Sequence, residues 1–213
     1  MHKEFSDKQL LIIEAAEQLF AEKTYDSTSV RDIAKAASIN VAMISYYFGS
    51  KEDLMKSLFG YRMQFMKNRL SELIEDKTIS PLEKMEIIVN SWIDKIFAQQ
   101  SFHKIMVHAQ LNPHNSTIKN LMNTYKEEQI QQLEKIIKDG QKKKLFIKNI
   151  DIPFMISLNI GCISQFILNI DFYNKIYNTK TDKNKNLEKI KNNFKSNLLQ
   201  INRNFLHEAK TTI

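Results

Sequence analysis

Between Ser27 and Leu54 the chain punctuates itself densely enough to leave few options for its local fold. Ser29 stands three residues before Asp32, a capping-box spacing that satisfies free N–H groups at a helix start. Val30, Ile33, Ala34 and Ala37 then recur at helical period, leaving Arg31, Asp32 and Lys35 outside. This helix is expected to stop near Ser38. Asn40 can cap a second, running from Val41 to about Phe48, with Ile44 and Phe48 inward at i, i+4. Gly49 ends it, and Ser50 with Asp53 repeats the capping-box spacing for a third helix from Lys51. Two short helices joined by a three- or four-residue turn form a helix-turn-helix, whose second helix offers its N-terminal residues to base edges in the DNA major groove. An ordinary helical hairpin has the same spacing. What separates the two is the outer face of the second helix, with Val41, Ala42, Met43, Ser45, Tyr46 and Tyr47, which a buried helix has no use for.

The residues carry more than the spacing. The run AEQLFAEKTYDSTSV, then RDIAKAASI, then ISYYFGSKEDL resembles the DNA-binding domain of the TetR family of bacterial transcriptional regulators over about residues 8 to 56. The aromatic pair before Phe48, the short polar turn, Lys51 and the following acidic pair are its most specific part. Two positions depart from the family pattern. Ser38 stands where Gly is usual, so a Ser must accept whatever backbone angle the turn demands. Ile44-Ser45 stands where Leu-Tyr is commoner. The resemblance implies an all-α chain, with a helix-turn-helix domain over 1–50 and a helical ligand-binding and dimerisation domain over 51–213. It further implies a palindromic double-stranded operator, a small-molecule effector, and a repressor that the effector releases.

From this reading Ser29, Tyr47 and Lys51 are expected to hold phosphates. Arg31, Asn40, Val41, Ala42, Met43, Ser45 and Tyr46 are expected at or near base edges, with Val41, Ala42 and Met43 suited to thymine methyl groups. The alternative is a helical interaction module whose helix-turn-helix no longer binds DNA, and charge is its best argument. The net charge of +7 does not sit on the first domain: residues 1–50 carry five Lys and Arg against seven Asp and Glu, a net −2. The excess is late, in Lys142-Lys143-Lys144 and from Lys175 to Lys210. A second alternative, a membrane-surface role for those late lysines, has no further support in the pattern.

Composition agrees with a globular helical protein. Hydrophobic residues make up 43% and charged residues 26%, with only three prolines and four glycines. A chain of 213 residues can bury roughly 70% of its unfolded surface. The lone Cys162 excludes an intrachain disulfide and a multi-cysteine zinc site. No apolar leader or 18-residue apolar run appears, so a cytoplasmic protein is expected. There is no nucleophile elbow, phosphate-binding glycine loop or paired His–Glu motif, and neither an enzyme nor a cofactor is expected. His103, His108 and His114 lack the i, i+4 spacing that would put two imidazoles on one helical face, so no metal is expected.

The remaining helices follow from similar signals. Ser6 with Gln9 caps the first, with Ile12, Ala16, Leu19 and Phe20 inward; a long helix runs from Lys51 to about Ile74. Ser80-Pro81 with Glu83 opens another, carrying Met85, Ile88, Trp92 and Ile96. Further helices are expected over Phe102–Gln110 and over Ser116–Asp139, the latter closed by Gly140 as a left-handed cap. Asp151 caps an apolar helix, Phe154 to Tyr177, and a last helix runs from about Lys185 to Glu208, with a mobile loop between them over Asn178–Asn186. The last two helices are expected to form half of a four-helix bundle completed by a second copy. By resemblance, effector contacts are expected at Trp92, Phe97, Phe102, Met106, Met122, Tyr125, Met155, Asn159 and Phe166.

Overall fold

The structure, a computed structural model, describes residues 5–111, 116–177 and 183–207. These residues form helices and turns, with no strand among them. The helices are α1 (Asp7–Lys23), α2 (Val30–Ala36), α3 (Val41–Phe48), α4 (Lys51–Glu75), α5 (Pro81–Ala98), α6 (Gln100–Leu111), α7 (Ser116–Lys142), α8 (Ile152–Leu168), α9 (Ile170–Ile176) and α10 (Lys183–Leu206). They fall into two compact units, one of residues 1–67 and 99–127 and one of 68–98 and 128–213.

In the first unit α1 packs on α2 and α6, and α2 packs on α3. Ile12, Ile13, Ala16 and Phe20 of α1, Ile33 and Ala34 of α2, Ile44 and Phe48 of α3, and Leu54, Met55, Leu58 and Phe59 of α4 close one apolar cluster, which Phe102, Ile105, Ile118 and Met122 extend. The helix starts are set as their local residues dictate. Ser6 and Ser29 form full capping boxes with Gln9 and Asp32, and the Asn40 Oδ1 accepts from the Ala42 N–H at 2.9 Å. Leu19, expected inward, is only half-buried, while Glu17 is buried instead. The Glu17 carboxylate accepts from Arg62 Nε at 2.7 Å and so ties α1 to α4. A single buried charge would be strongly unfavourable; its partner makes the position tolerable.

The second unit is built by α5, α8, α9 and α10 with the remaining parts of α4 and α7. Asp94 of α5 holds Lys191 and Lys195 of α10 at 2.7 and 2.8 Å, and Glu86 holds Arg203 at 2.6 Å. At the centre of the α8–α10 packing two fully buried amides face each other: Asn159 Nδ2 donates to Asn202 Oδ1 at 2.9 Å, and Asn202 Nδ2 returns the bond at 2.8 Å. Each amide also donates to a carbonyl of its own helix, Met155 or Leu198. Both groups are satisfied where the chain is otherwise apolar.

Two expectations are corrected here. Gly140 does not end its helix: α7 continues to Lys142, and the left-handed residue is Lys144, with φ 58°. Leu145 N–H reaches Gly140 O at 2.8 Å and Lys144 N–H reaches Gln141 O at 3.0 Å, a Schellman termination with a lysine at the glycine-favoured position. Glycine is required at 140 for another reason: the chain folds back after the turn and lays the Phe146 ring against its Cα, where a Cβ would overlap the ring. Nor is the apolar helix from 154 to 177 continuous. It breaks at Asn169, and α8 and α9 are bent by 71°. There the Asn169 side chain donates to Gln165 O at 2.9 Å and its backbone N–H turns to Phe166 O at 3.3 Å. The Asn112-Pro113 helix stop, His114, Glu208 and most of the expected loop over 178–186 lie outside the described residues; α10 begins at Lys183, inside that loop's expected range.

Candidate nucleic-acid interface

The reading head is made by α2, the four residues Ala37–Asn40, and α3. Its turn is a second Schellman arrangement: Ser38 N–H reaches Lys35 O at 3.2 Å and Ile39 N–H reaches Ala34 O at 3.0 Å. Ser38 takes φ 53°, the left-handed angle that makes glycine the easier residue there. Ile44 and Phe48 anchor α3 from below. Val41, Ala42, Ser45 and Tyr46 are exposed on its outer side, and Met43 and Tyr47 are half-buried. Tyr46 is 82% exposed, its ring edge-on to Tyr47 at 5.0 Å. An aromatic ring left that open on a folded unit marks a contact surface more than a packing residue.

The polar residues expected around this face differ in how free they are. Arg31 and Lys35 lie exposed on α2. The Ser29 hydroxyl donates to Asp32 Oδ2 at 2.6 Å, which with the Ser29 backbone N–H holds the Asp32 carboxyl below the usual carboxylate range. Lys51 is half-buried. Its ammonium donates to Tyr25 O at 3.0 Å and Thr28 O at 2.9 Å and lies 4.2 Å over the Tyr25 ring. Two of its three N–H bonds thus brace the loop between α1 and α2, leaving one for a phosphate oxygen. That loop also holds Thr24 at φ 72°, ψ 162°, a region almost confined to glycine. No sequence signal marked this strain; it shows only once the loop is closed by Lys51 and by the Thr28 hydroxyl, 2.8 Å from Thr24 O.

The residues expected to meet an effector divide between the units. In the first, Phe102 and Met122 are core residues, Met106 packs partly buried against that core, and Tyr125 is half-buried. In the second, Trp92 and Met155 are buried, and Asn159 has its amide engaged by Asn202. Phe97 and Phe166 lie with ring centroids 5.9 Å apart. The Trp92 indole N–H is buried without an acceptor among the described residues. Of the nine, only Phe166 lines the open cleft of about 730 Å³ on α8, α9 and α10, beside Gly161, Cys162, Gln165, Tyr173, Tyr177, Asn193, Phe194 and Asn197. Among the described residues no charged side chain lines that cleft. The sequence reading missed Tyr173 and Phe194, which stack on Phe166 at 5.0 and 4.3 Å, because they are brought together only by the bend at Asn169 and by α10.

The family model of bacterial regulatory proteins, tetR family, matches residues 12–58, which span the core of α1, the whole helix-turn-helix and the start of α4. Over these residues the chain carries the TetR-family domain. Among its relatives is a probable HTH-type transcriptional regulator of Bacillus subtilis (strain 168), YttP, 34% identical over 140 residues. That match covers 64% of this chain and 66% of YttP, just under two thirds of the relative's length. The fatty acid metabolism regulator protein of the same organism is 24% identical over 165 residues, 78% of this chain and 84% of the relative. In solved structures, the fatty acid degradation regulator FadR from Bacillus halodurans shares the fold with a TM-score of 0.71 at 23% identity, over 92% of this chain and 97% of that one. FadR from Bacillus subtilis, in complex with stearoyl-CoA, shares it with a TM-score of 0.66 at 22% identity, over 93% and 99%.

Proposed function

We propose that this chain is a ligand-responsive transcriptional regulator that binds a palindromic operator as a homodimer and, as a repressor, is released from it by a small molecule. The observation that carries the reading is the exposed outer face of α3, held by a capped and buried helix pair, on a unit that the family model matches. In the proposed complex the first turn of α3 enters the major groove with Arg31 of α2 at the base edges beside it, while Tyr47 and the remaining Lys51 N–H bond meet the backbone. The hydroxyl of Ser29 is engaged by Asp32, so its phosphate contact is proposed through a lone pair of the hydroxyl accepting a bridging water.

The second copy is proposed to cover α8 and α10. Phe154, Ser157, Gly161, Gln165 and Leu168 recur at helical spacing along α8 and are all exposed, as are Asn193, Asn197, Ile201 and Asn204 along α10. Phe154 and Leu168 are more than half exposed, which favours a covered face over a solvated one. The cleft on α8–α10 shares Gly161, Gln165, Asn193 and Asn197 with this strip, and we assign it to subunit packing. The effector is proposed to accept a hydrogen bond from the buried Trp92 N–H of α5. The fatty acid metabolism regulator among the relatives, and the stearoyl-CoA bound to FadR from Bacillus subtilis, make a long-chain acyl-CoA the first compound to try.

The test is a mobility-shift titration of the full chain on the DNA upstream of its own gene. The reading expects a shift that weakens as salt rises and is reversed by the effector. No salt-sensitive shift on any palindromic duplex would instead favour an interaction module.

A further inference from the structure

We infer that α3 selects its operator through the C5-methyl groups of thymine, so that the half-site under this helix is A·T-rich and its recognition depends on methyl contact. The inference rests on the DNA-binding reading above and goes beyond it to the chemistry of the bases.

The argument is one of inventory. Guanine is read best by a bidentate Arg or Lys, adenine by a bidentate Asn or Gln, and cytosine by a carboxylate. None of the eight residues of α3, Val41–Phe48, carries a charge or an amide. Asn40, at its N-cap, has its carbonyl oxygen on the Ala42 N–H at 2.9 Å, so the donor–acceptor pair that adenine requires is half engaged before DNA arrives. Arg31 and Lys35 sit on α2. What α3 offers outward is aliphatic at its first turn, where a reading helix meets base edges: Val41 is 41% exposed, and Ala42 is exposed beside it. Behind them stand single hydroxyls from Ser45 and Tyr46. The thymine methyl is the one apolar group in the major-groove code, and it is the partner these side chains fit.

Charge makes the same demand. Residues 1–50 are net −2, so fewer phosphate contacts support binding than in a basic reading head, and contacts to bases must carry more of the discrimination.

The experiment uses the full chain and a random duplex pool. The duplex it enriches is resynthesised with uracil for thymine, which removes the methyl and leaves the hydrogen-bonding edge unchanged. Losing one buried methyl weakens binding about fourfold, so one in each half-site weakens it on the order of tenfold. In Val41→Ser, an exposed change at a position that helix starts accept, the thymine-to-uracil ratio should fall toward one. Equal affinity for the two duplexes, with sequence-specific binding intact, overturns methyl readout and leaves the DNA-binding reading standing. Failure to enrich any duplex overturns both.

Discussion

Replacing Gly140 by alanine sets two physical effects against each other with opposite signs. Within the helix α7 an alanine is favoured over glycine by about 1 kcal/mol, because glycine loses more backbone freedom on folding. The new Cβ, however, occupies space taken by the Phe146 ring, with Cγ of that ring only 2.8 Å away and other ring atoms nearer. Phe146 is 7% exposed and its ring atoms overlap the new Cβ, so a buried ring must leave its site. Vacating a buried Phe site costs about 3–5 kcal/mol when the ring is deleted outright. Subtracting the propensity gain leaves a net destabilisation of about 2–4 kcal/mol. In urea, with a slope of about 2–3 kcal/mol/M, the unfolding midpoint should fall by about 1 M. The assay is far-UV circular dichroism at fixed protein concentration, since an associating chain gains stability by mass action. A second background isolates the cause. With Phe146→Ala in place the obstacle is gone, and Gly140→Ala should then stabilise by about 1 kcal/mol. A raised midpoint in the wild-type background would refute the close-approach argument and restore Gly140 as an ordinary helix glycine.

Other outcomes follow from the same geometry. Thr24→Gly should stabilise the chain by about 1–2 kcal/mol, read as a higher urea midpoint, because the relief of a glycine-type backbone angle exceeds glycine's entropic cost. Asn202→Ala should cost about 1–3 kcal/mol or more by leaving the Asn159 amide without its partner, whereas the double change of Asn159 and Asn202 to Leu should be near neutral. Burial holds the His103 imidazole below its ordinary value near 6.5, so the unfolded chain takes up a proton that the folded chain resists. Stability should therefore be intact above about pH 6.5 and decline as pH falls below it, and His103→Phe should flatten that part of the profile. Tyr47→Phe, which keeps the packed ring and removes only the hydroxyl, should weaken binding to all DNA sequences alike with folding unchanged, while Tyr46→Ala should change the preference among duplexes, as measured by anisotropy titration.

The parts of this molecule legible in its sequence are those settled within a few residues. Ser6, Ser29, Asn40, Ser50, Ser80 and Asp151 all accept from a backbone N–H two or three positions on, as their spacing predicts. The left-handed turn at Ser38 was likewise readable, because the family's glycine pointed to the angle. What periodicity could not show depends on residues far apart in the chain. Glu17 is buried because Arg62, 45 positions later, meets it. Asn159 looked like a ligand contact until Asn202, 43 positions later, took up its amide. Gly140 carries an end-of-helix signal in its type and a packing role in its place, and only Phe146 decides between them. The break at Asn169 leaves no mark in the apolar pattern, and its side-chain bond to Gln165 O does not set it apart, since Asn159 makes the same bond within an unbroken α8.

The central claim is that the α2–α3 pair reads DNA. It is tested most directly by titrating a labelled duplex, enriched by the full chain from a random pool, against a scrambled duplex of equal length and composition at two salt concentrations. The account predicts two protomers per palindromic duplex, a preference for the enriched sequence of at least about a thousandfold, and affinity that falls as salt rises. Equal affinity for the two duplexes at both salt concentrations would contradict it.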